Sequence, residues 1–311
     1  MTTTVSAPGK TILFGEHAVV YGEPALSLAV DRRIRCKISD AENKTTVNGY
    51  PIERKYHSFI LEAINRMGTK EKMRISTESD LPSGAGMGSS AAVTVSTLGC
   101  LRRFVGKKII EKKIAKDAFQ VELNVQGNAS PIDTSTSTHG NAIMISKEKK
   151  ENFLWKLERE DKRWFINHSE VPEVDFVIGN TGVHSKTAPL VKKVKRFYER
   201  SNFAREIIKE IGEIVRDGAY YLKKEEYEKV GNLMDKNQEL LSILGVSHPK
   251  LEKLIRGARK HSYGAKLTGA GGGGSMIALT ENAEKVAKEI RKRGGTPYMI
   301  KPAKKGVVEE R

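Results

Sequence analysis

The chain has 311 residues, of which 38% are hydrophobic, and the only cysteines are Cys36 and Cys100. That length fits one large or two medium domains, and both cysteines lie in apolar runs typical of buried thiols rather than disulfides. The positive charge exceeds the negative by 16, but the basic residues are scattered and no aromatic-rich RNA-binding motif accompanies them. We therefore expect no nucleic-acid partner. The absence of any signal-length or membrane-length apolar stretch predicts a cytoplasmic protein without a membrane partner.

The first half of the chain shows both strand and helix patterns. Leu28–Ser39 alternates apolar and polar residues as a half-buried strand does, and His57–Met67 has apolar residues at helical spacing. The remaining predicted elements are strands at Met73–Thr77 and Ala142–Ser146 and helices at Ala91–Val105 and Ile110–Val125.

In the second half, a polar stretch with Pro172 predicts a domain boundary, which divides the chain into residues 1–170 and 171–311. Beyond it we predict helices at Lys186–Glu199, Ala204–Leu222, Lys224–Leu241, Pro249–Lys260 and Ala283–Arg293, and strands at Phe176–Ile178, Gly264–Leu267, Ser275–Leu279 and Tyr298–Ile300. This mixture indicates the α+β class. The charged tail Lys304–Arg311 is predicted to fray.

A glycine- and serine-rich loop precedes the helix at Ala91. It consists of Pro82, Ser83, Gly84, Ala85, Gly86, Met87, Gly88, Ser89 and Ser90. Backbone N–H groups at the positive end of a helix form a site for phosphate, and glycine allows the backbone to approach closely. The alternative is an ordinary turn with a serine cap. The spacing matches neither the Walker A motif nor the dinucleotide-binding fingerprint.

A second glycine run, Gly271–Gly274, lies between two strand-like segments. Four consecutive glycines cost conformational entropy, which favours a backbone platform against a ligand over a plain linker. Near the start of the chain, Lys10 follows a Pro-Gly turn, and Glu16 and His17 are adjacent polar residues among apolar neighbours. These last two residues fit either a site or a satisfied structural pair.

Two carboxylates complete the candidate site. Glu122 lies near the end of a predicted helix, and Asp133 lies in a predicted turn after Pro131. They could hold magnesium and activate a hydroxyl, or they could be a surface charge and a helix cap. The histidines form no zinc-binding spacing, and the chain has no Gly-x-Ser-x-Gly elbow of a hydrolase.

Taken together, these motifs resemble the GHMP-type family of small-molecule kinases, which includes galactokinase and homoserine kinase. The resemblance covers nearly the whole chain and rests on Ala7–Gly22, Leu81–Val93 and Lys266–Gly274, in the family's order. The stretch Phe14–Gly22 looks like the version found in the mevalonate-phosphorylating members, of archaeal type. The resemblance implies two α+β domains, the second ferredoxin-like, with the active site in the cleft between them.

The resemblance also implies roles for the candidate residues. Asp133 would be the catalytic aspartate, and Lys10 would keep it ionised. The loop from Pro82 to Ser90 would bind the phosphates of ATP, while Ser90 and Glu122 would hold Mg²⁺. The implied contacts of the substrate mevalonate are Glu16, His17, Thr187, Gly271 and Gly272.

The family further leads us to expect a homodimer. Two alternatives stay open at this point. One is a related kinase that acts on phosphomevalonate, a sugar or homoserine. The other is a basic RNA-binding protein that reuses the fold, which would leave the two carboxylates and both glycine loops without a role.

Overall fold

The computed structural model describes residues 2–82, 84–127, 129–159, 162–185 and 187–310, with the side chains of 159 and 162 excepted. The strands are β1 (Thr2–Phe14), β2 (Ala25–Asp40), β3 (Thr46–Val47), β4 (Tyr50–Pro51), β5 (Met73–Ser79), β6 (Ala142–Ser146), β7 (Phe153–Arg159), β8 (Lys162–Ser169), β9 (Asp175–Asn180), β10 (Gly264–Thr268), β11 (Ser275–Thr280), β12 (Thr296–Ile300) and β13 (Val308–Glu309).

The α-helices are α1 (Arg54–Met67), α2 (Ser89–Phe104), α3 (Glu111–Gln126), α4 (Pro131–His139), α5 (Thr187–Arg200), α6 (Asn202–Lys223), α7 (Tyr227–Ile243), α8 (Pro249–Ala258) and α9 (Ala283–Lys292). A short 3-10 helix spans Ala18–Tyr21. None of the helices in these described parts is long and apolar enough to cross a membrane.

Strands of the first sheet run in the order β4-β3-β5-β2-β6-β8-β7, and β1 pairs with both β2 and β13. The long strand β2 organises this sheet, because it pairs antiparallel with β1, β5 and β6. Helix α2 packs against β1 and β2 and is buried along nearly its whole length. Most side chains of α2 are small or apolar, on every face of the helix, which is typical of a helix inside a core. The glycine- and serine-rich loop leads directly into this helix.

Strands of the second sheet run antiparallel in the order β10-β11-β9-β12. Helix α7 covers the open edge of β10. The Asp235 carboxylate accepts a hydrogen bond from the Ala265 N–H at 2.9 Å, and the Gln238 side-chain oxygen accepts one from Leu267 N–H at 2.8 Å. These side chains satisfy edge groups that would otherwise be open to another strand.

A large apolar cluster joins the two sheets. It contains Phe14 and Leu28 from the first sheet and Phe176 and Ile277 from the second. Except for β13, the strands of the first sheet precede those of the second sheet in the chain. The domain boundary at residue 170 stays a prediction.

Residues 301–310, here called the C-terminal strap, return to the first sheet. Asn141 N–H donates to the Ala303 carbonyl at 2.7 Å, Val307 N–H donates to Thr138 at 2.9 Å, and β13 pairs with β1. The prediction of a frayed tail is therefore wrong for residues 304–310. The tail is ordered because Val307 is buried against Gly99 and Val5, a long-range contact that the charged composition concealed.

One further prediction is wrong, and one pair of strands was not predicted. Asp133 lies in helix α4 and not in a loop turn, and the sequence analysis did not predict the β7–β8 hairpin. Helix α4 was missed because it is built of serine and threonine and has no apolar periodicity, although all its residues except Asp133 are buried. The two cysteines are free and buried, as predicted.

Candidate active site

Lys10 and Asp133 form an ion pair at the centre of the candidate site. The Lys10 Nζ lies 2.8 Å from the Asp133 Oδ2, and the side chains are 9% and 31% exposed. Lys10 projects from β1, and Asp133 lies in the first turn of α4. The N-cap of α4 is Ser130, whose hydroxyl accepts a hydrogen bond from Ile132 N–H. The interpretation of Asp133 as a cap is therefore wrong, and its carboxylate is partly open to solvent.

The loop before α2 has alternating exposure. Gly84 and Gly86 are exposed, whereas Ala85 and Met87 are almost completely buried. Gly84, Gly86 and Gly88 have φ values of 70°, 70° and 69°, which favour glycine. Pro82 is half-buried, and Ser83 lies outside the described residues.

This loop also adjoins Lys10. The Lys10 N–H donates to the Met87 carbonyl at 2.9 Å, and a Cβ on Gly88 would come within 2.7 Å of the Lys10 Cε. Gly88 is the N-cap of α2 and provides no side-chain cap. Ser89 is exposed and Ser90 half-buried in the first turn. The positive end of α2 thus begins beside a buried cation, which suits an anionic ligand.

Glu122 and Ser90 form a second polar pair nearby. The Ser90 hydroxyl donates to the Glu122 Oε1 at 3.2 Å, and Glu122 is only 3% exposed. Burial, together with the negative charge of Asp133, raises the pKa of Glu122 to about 8, although Lys10 and the Ser90 hydrogen bond oppose the shift. Because burial and Asp133 disfavour the anionic form of Glu122, a cation bound beside it would stabilise that form.

A carboxylate and a hydroxyl are oxygen ligands of the kind that Mg²⁺ prefers. Within the described part of the chain, no group of three His, Cys, Asp or Glu residues is arranged to hold a metal. That finding fits magnesium, which usually takes one or two carboxylates and completes its shell with water and substrate phosphates. Ser90 and Glu122 therefore fit the ion that the sequence predicts, and that ion would neutralise phosphate charge.

Glu16 and His17 already have protein partners. The Glu16 carboxylate is 2% exposed and pairs with the ammonium of Lys266, which is completely buried. Burial raises the pKa of Glu16 and lowers the pKa of Lys266, and their mutual attraction opposes both shifts. His17 Nε2 lies 2.9 Å from the Ala270 carbonyl oxygen, so the tautomer with a proton on Nε2 donates. Burial lowers the pKa of His17 and favours this neutral form.

The second glycine run is held by neighbouring loops. Gly272 N–H donates to the Val246 carbonyl at 2.7 Å, and Gly274 N–H donates to Val183 at 2.8 Å. The Ser185 hydroxyl donates to the Gly271 carbonyl. Thr187 begins α5 and is exposed. The run is thus tied to its neighbours by hydrogen bonds. The substrate contacts predicted for Gly271, Gly272 and Thr187 stay predictions.

Sequence reasoning missed residues that join the two sheets at the site. The Thr268 hydroxyl donates to the Ile12 carbonyl at 2.8 Å and accepts from Ile12 N–H at 3.2 Å. The sequence motif Lys266–Gly274 includes Lys266 but assigns it no role of its own. A lone charge within the otherwise apolar strand Ala265-Lys266-Leu267 is a signal that it needs a buried partner. Asn180 and Ser275, which contact the first loop, carried no local signal.

Comparison with known proteins gives matches to two family models and to relatives along the chain. The family model "GHMP kinases N terminal domain" matches residues 55–141, and "GHMP kinases C terminal" matches residues 219–296. The mevalonate kinase of Pyrococcus furiosus is 35% identical to this chain, and the alignment covers 100% of this chain and 99% of that protein. Mevalonate kinase of Methanothermobacter thermautotrophicus is 34% identical, over 89% of this chain and 90% of that protein.

Among solved structures, the Methanococcus jannaschii mevalonate kinase has a TM-score of 0.79 and 29% identity over 97% of this chain and 98% of that one. The chain belongs to the GHMP kinase family. Its two-domain α+β fold, predicted from the sequence, is thereby confirmed. Membership of this kinase family implies ATP with a divalent metal.

Proposed function

We propose that this protein transfers the γ-phosphoryl group of ATP to the 5-hydroxyl of mevalonate, giving 5-phosphomevalonate and ADP. The full-length similarity to several archaeal mevalonate kinases supports this choice of acceptor within the family. The observation that carries the chemistry is the ion pair between Lys10 and Asp133, at 2.8 Å, beside the loop that opens α2.

In the proposed reaction, the substrate hydroxyl oxygen attacks the γ-phosphorus, and the bond from that phosphorus to the β–γ bridging oxygen breaks. The hydroxyl proton passes to the carboxylate of Asp133. Lys10 pairs with this carboxylate and places a positive charge beside the transferring group. Phosphoryl transfer depends mainly on positioning and charge neutralisation, so these fixed charges supply what the loose transition state requires.

The other residues take supporting roles. The loop from Pro82 to Ser90 binds the phosphates of ATP. Ser90 and Glu122 would hold Mg²⁺, which would supply positive charge to those phosphates. Glu16, His17, Thr187, Gly271 and Gly272 form the acceptor side. Glu16 and His17 already have protein partners. We therefore assign Glu16 to supporting the wall of the acceptor pocket and His17 to lining that pocket. We further propose a cytoplasmic homodimer.

The test is ADP release from ATP and Mg²⁺ with mevalonate, phosphomevalonate, galactose and homoserine as separate acceptors. Turnover with mevalonate alone is the expected result. Turnover with another of these alcohols would keep the kinase and refute the acceptor. A lack of ADP with every acceptor, together with RNA binding that falls steeply with salt, would favour the RNA-binding alternative.

A further inference from the structure

The phosphate loop is held from the second sheet by two side chains, Asn180 and Ser275. The Asn180 Nδ2 donates to the Gly84 carbonyl at 3.0 Å, and the Ser275 hydroxyl donates to the Ala85 carbonyl at 2.8 Å. Both residues lie at strand ends, Asn180 at the end of β9 and Ser275 at the start of β11. The loop itself precedes α2, which packs on the other sheet.

These two side chains are a matched pair in the sheet. Asn180 and Ser275 are direct partners in the β9–β11 ladder, and the Asn180 Nδ2 also lies 3.1 Å from the Ser275 Oγ. The Asn180 Oδ1 accepts from Gly182 N–H at 2.8 Å, which leaves the amide nitrogen facing the loop. Each donor therefore has a fixed orientation before any ligand binds.

The hydrogen bonds to these two carbonyls also orient the backbone N–H groups of the loop. In a trans peptide, the C=O of one residue and the N–H of the next point to opposite sides, and the described chain has no cis peptide. The bonds to Gly84 and Ala85 thus turn the N–H groups of Ala85 and Gly86 away from the second sheet. In the same way, the hydrogen bond from Lys10 N–H to the Met87 carbonyl turns the N–H group of Gly88 away from β1.

We propose that Asn180 and Ser275 are positioning residues that preorganise the phosphate loop for the nucleotide. This inference rests on the proposed function, in which the loop binds ATP phosphates. A glycine-rich loop has many conformations to lose, and a loop that is already ordered loses fewer on binding. Loss of either side chain should therefore weaken nucleotide binding more than it affects the acceptor.

The experiment compares Asn180→Ala, Ser275→Ala and the double variant with the wild type. Calorimetry with Mg²⁺ and a non-hydrolysable ATP analogue measures binding without acceptor, and steady-state kinetics give the KM for ATP and for mevalonate. A net hydrogen bond corresponds to about three- to tenfold weaker nucleotide binding for each single variant. The KM for mevalonate should change by less than about twofold, because the side chains of both residues bond to the phosphate loop.

Matched controls lie at the other end of the second sheet. Thr280→Val removes a hydroxyl of β11 that donates to the His261 carbonyl at 2.7 Å. Asn282→Ala removes the side chain that caps the start of α9. Both should leave nucleotide affinity unchanged. Asn180→Asp keeps an acceptor for Gly182 N–H but has no donor when ionised, so it should weaken binding at least as much as Asn180→Ala.

Nucleotide affinity within twofold of the wild type in both single variants would overturn the proposal. Equal losses for ATP and mevalonate, accompanied by a lower thermal midpoint, would also overturn it, because they indicate a general structural role. If the wild type binds nucleotide but uses another alcohol, only the mevalonate assignment fails, and the comparison is made with that alcohol. A wild type that binds no nucleotide would refute the loop assignment and this proposal together.

Discussion

Lys10 and Asp133 come from distant parts of the chain, and their pairing depends on two local features. Lys10 is held by its backbone hydrogen bond to Met87, and the glycine at 88 leaves room for its side chain. Asp133 is placed at the positive end of α4, where the helix dipole favours an anion. Together these features place a lysine ammonium and the positive end of a helix beside the Asp133 carboxylate.

The first prediction concerns Asp133→Asn, which keeps the shape of the side chain and removes the proton acceptor. We expect kcat to fall by at least about 10²-fold, because a positioned base contributes about 10²–10⁴-fold. Affinity for the ATP analogue should stay within a few-fold of the wild type. The matched control is Asp117→Asn on α3, which breaks an ion pair with Arg66 away from the site and should leave kcat unchanged. A near-normal kcat in Asp133→Asn would remove the base assignment.

The second prediction concerns the pH dependence of stability without ligands. The folded-state pKa of Glu122 is about 8, above its ordinary value of 4.5, so the folded chain holds a proton that the unfolded chain releases between these pH values. The free energy of unfolding should therefore fall as the pH rises from about 4.5 to 8, by up to a few kcal/mol. Urea unfolding at pH 6 and pH 8.5 measures this fall.

Glu122→Gln cannot titrate, so it should show a smaller fall over the same pH interval. Comparing the two proteins cancels the contribution of other titrating groups. Identical pH dependence in wild type and variant would mean that Glu122 ionises normally in the folded state.

At the scale of elements, the ion pair of Glu16 and Lys266 joins the segment after β1 to strand β10. Both side chains are buried, and among the described residues the second oxygen of Glu16 has no hydrogen-bond partner. Removing one charge from such a pair leaves the other buried and uncompensated, whereas removing both can be nearly neutral.

The third prediction is that Lys266→Met lowers the free energy of unfolding by about 3–5 kcal/mol. The double variant Glu16→Gln with Lys266→Met should recover most of that loss in urea unfolding. Lys229→Met is the exposed counterpart, since it breaks a surface pair with Glu226 and should change the free energy of unfolding far less than Lys266→Met does. A double variant as unstable as Lys266→Met would show that the lysine contributes by packing and not by charge.

Local patterns predicted the elements that have a regular apolar period, such as α1 and β2, and they also marked the two glycine-rich loops. They predicted the residue types of the site because lysine, carboxylates and glycine-rich turns carry chemical information by themselves. The pattern failed for α4, whose hydroxyl residues bond back along the helix, as Thr136 does to the Ile132 carbonyl at 2.7 Å. It also missed partners far apart in the chain, such as Glu16 with Lys266 and Asn180 with Gly84, because no local period marks them.

At the scale of the whole molecule, the C-terminal strap ties the end of the second sheet to the first. It crosses the end of α4 where two glycines meet, and a Cβ on Gly140 would come within 2.6 Å of Gly306 N. Arg33 donates to the carbonyls of Lys305 at 3.1 Å and Gly306 at 2.5 Å. The strap therefore packs against the helix that carries Asp133.

The fourth prediction is that Gly306→Ala destabilises the protein by about 2–3 kcal/mol, because its Cβ would overlap the Thr138 carbonyl oxygen. Gly106→Ala is the control: its φ of 73° strains alanine, but apart from its chain neighbours no described residue has an atom within 4 Å of the added Cβ, so about 1 kcal/mol is expected. Chemical denaturation of both variants gives the comparison. Equal losses would mean that the strap moves aside to accommodate a side chain.

The composition of α4 has a consequence for the order of events during folding. A helix of nine residues rich in serine and threonine is not stable alone, so it forms only when β1, α2, α3 and β6 close around it. A refolding chain would then acquire its sheets and its long helices first and bring Asp133 into place last. Activity would therefore return only after the elements around α4 have packed together.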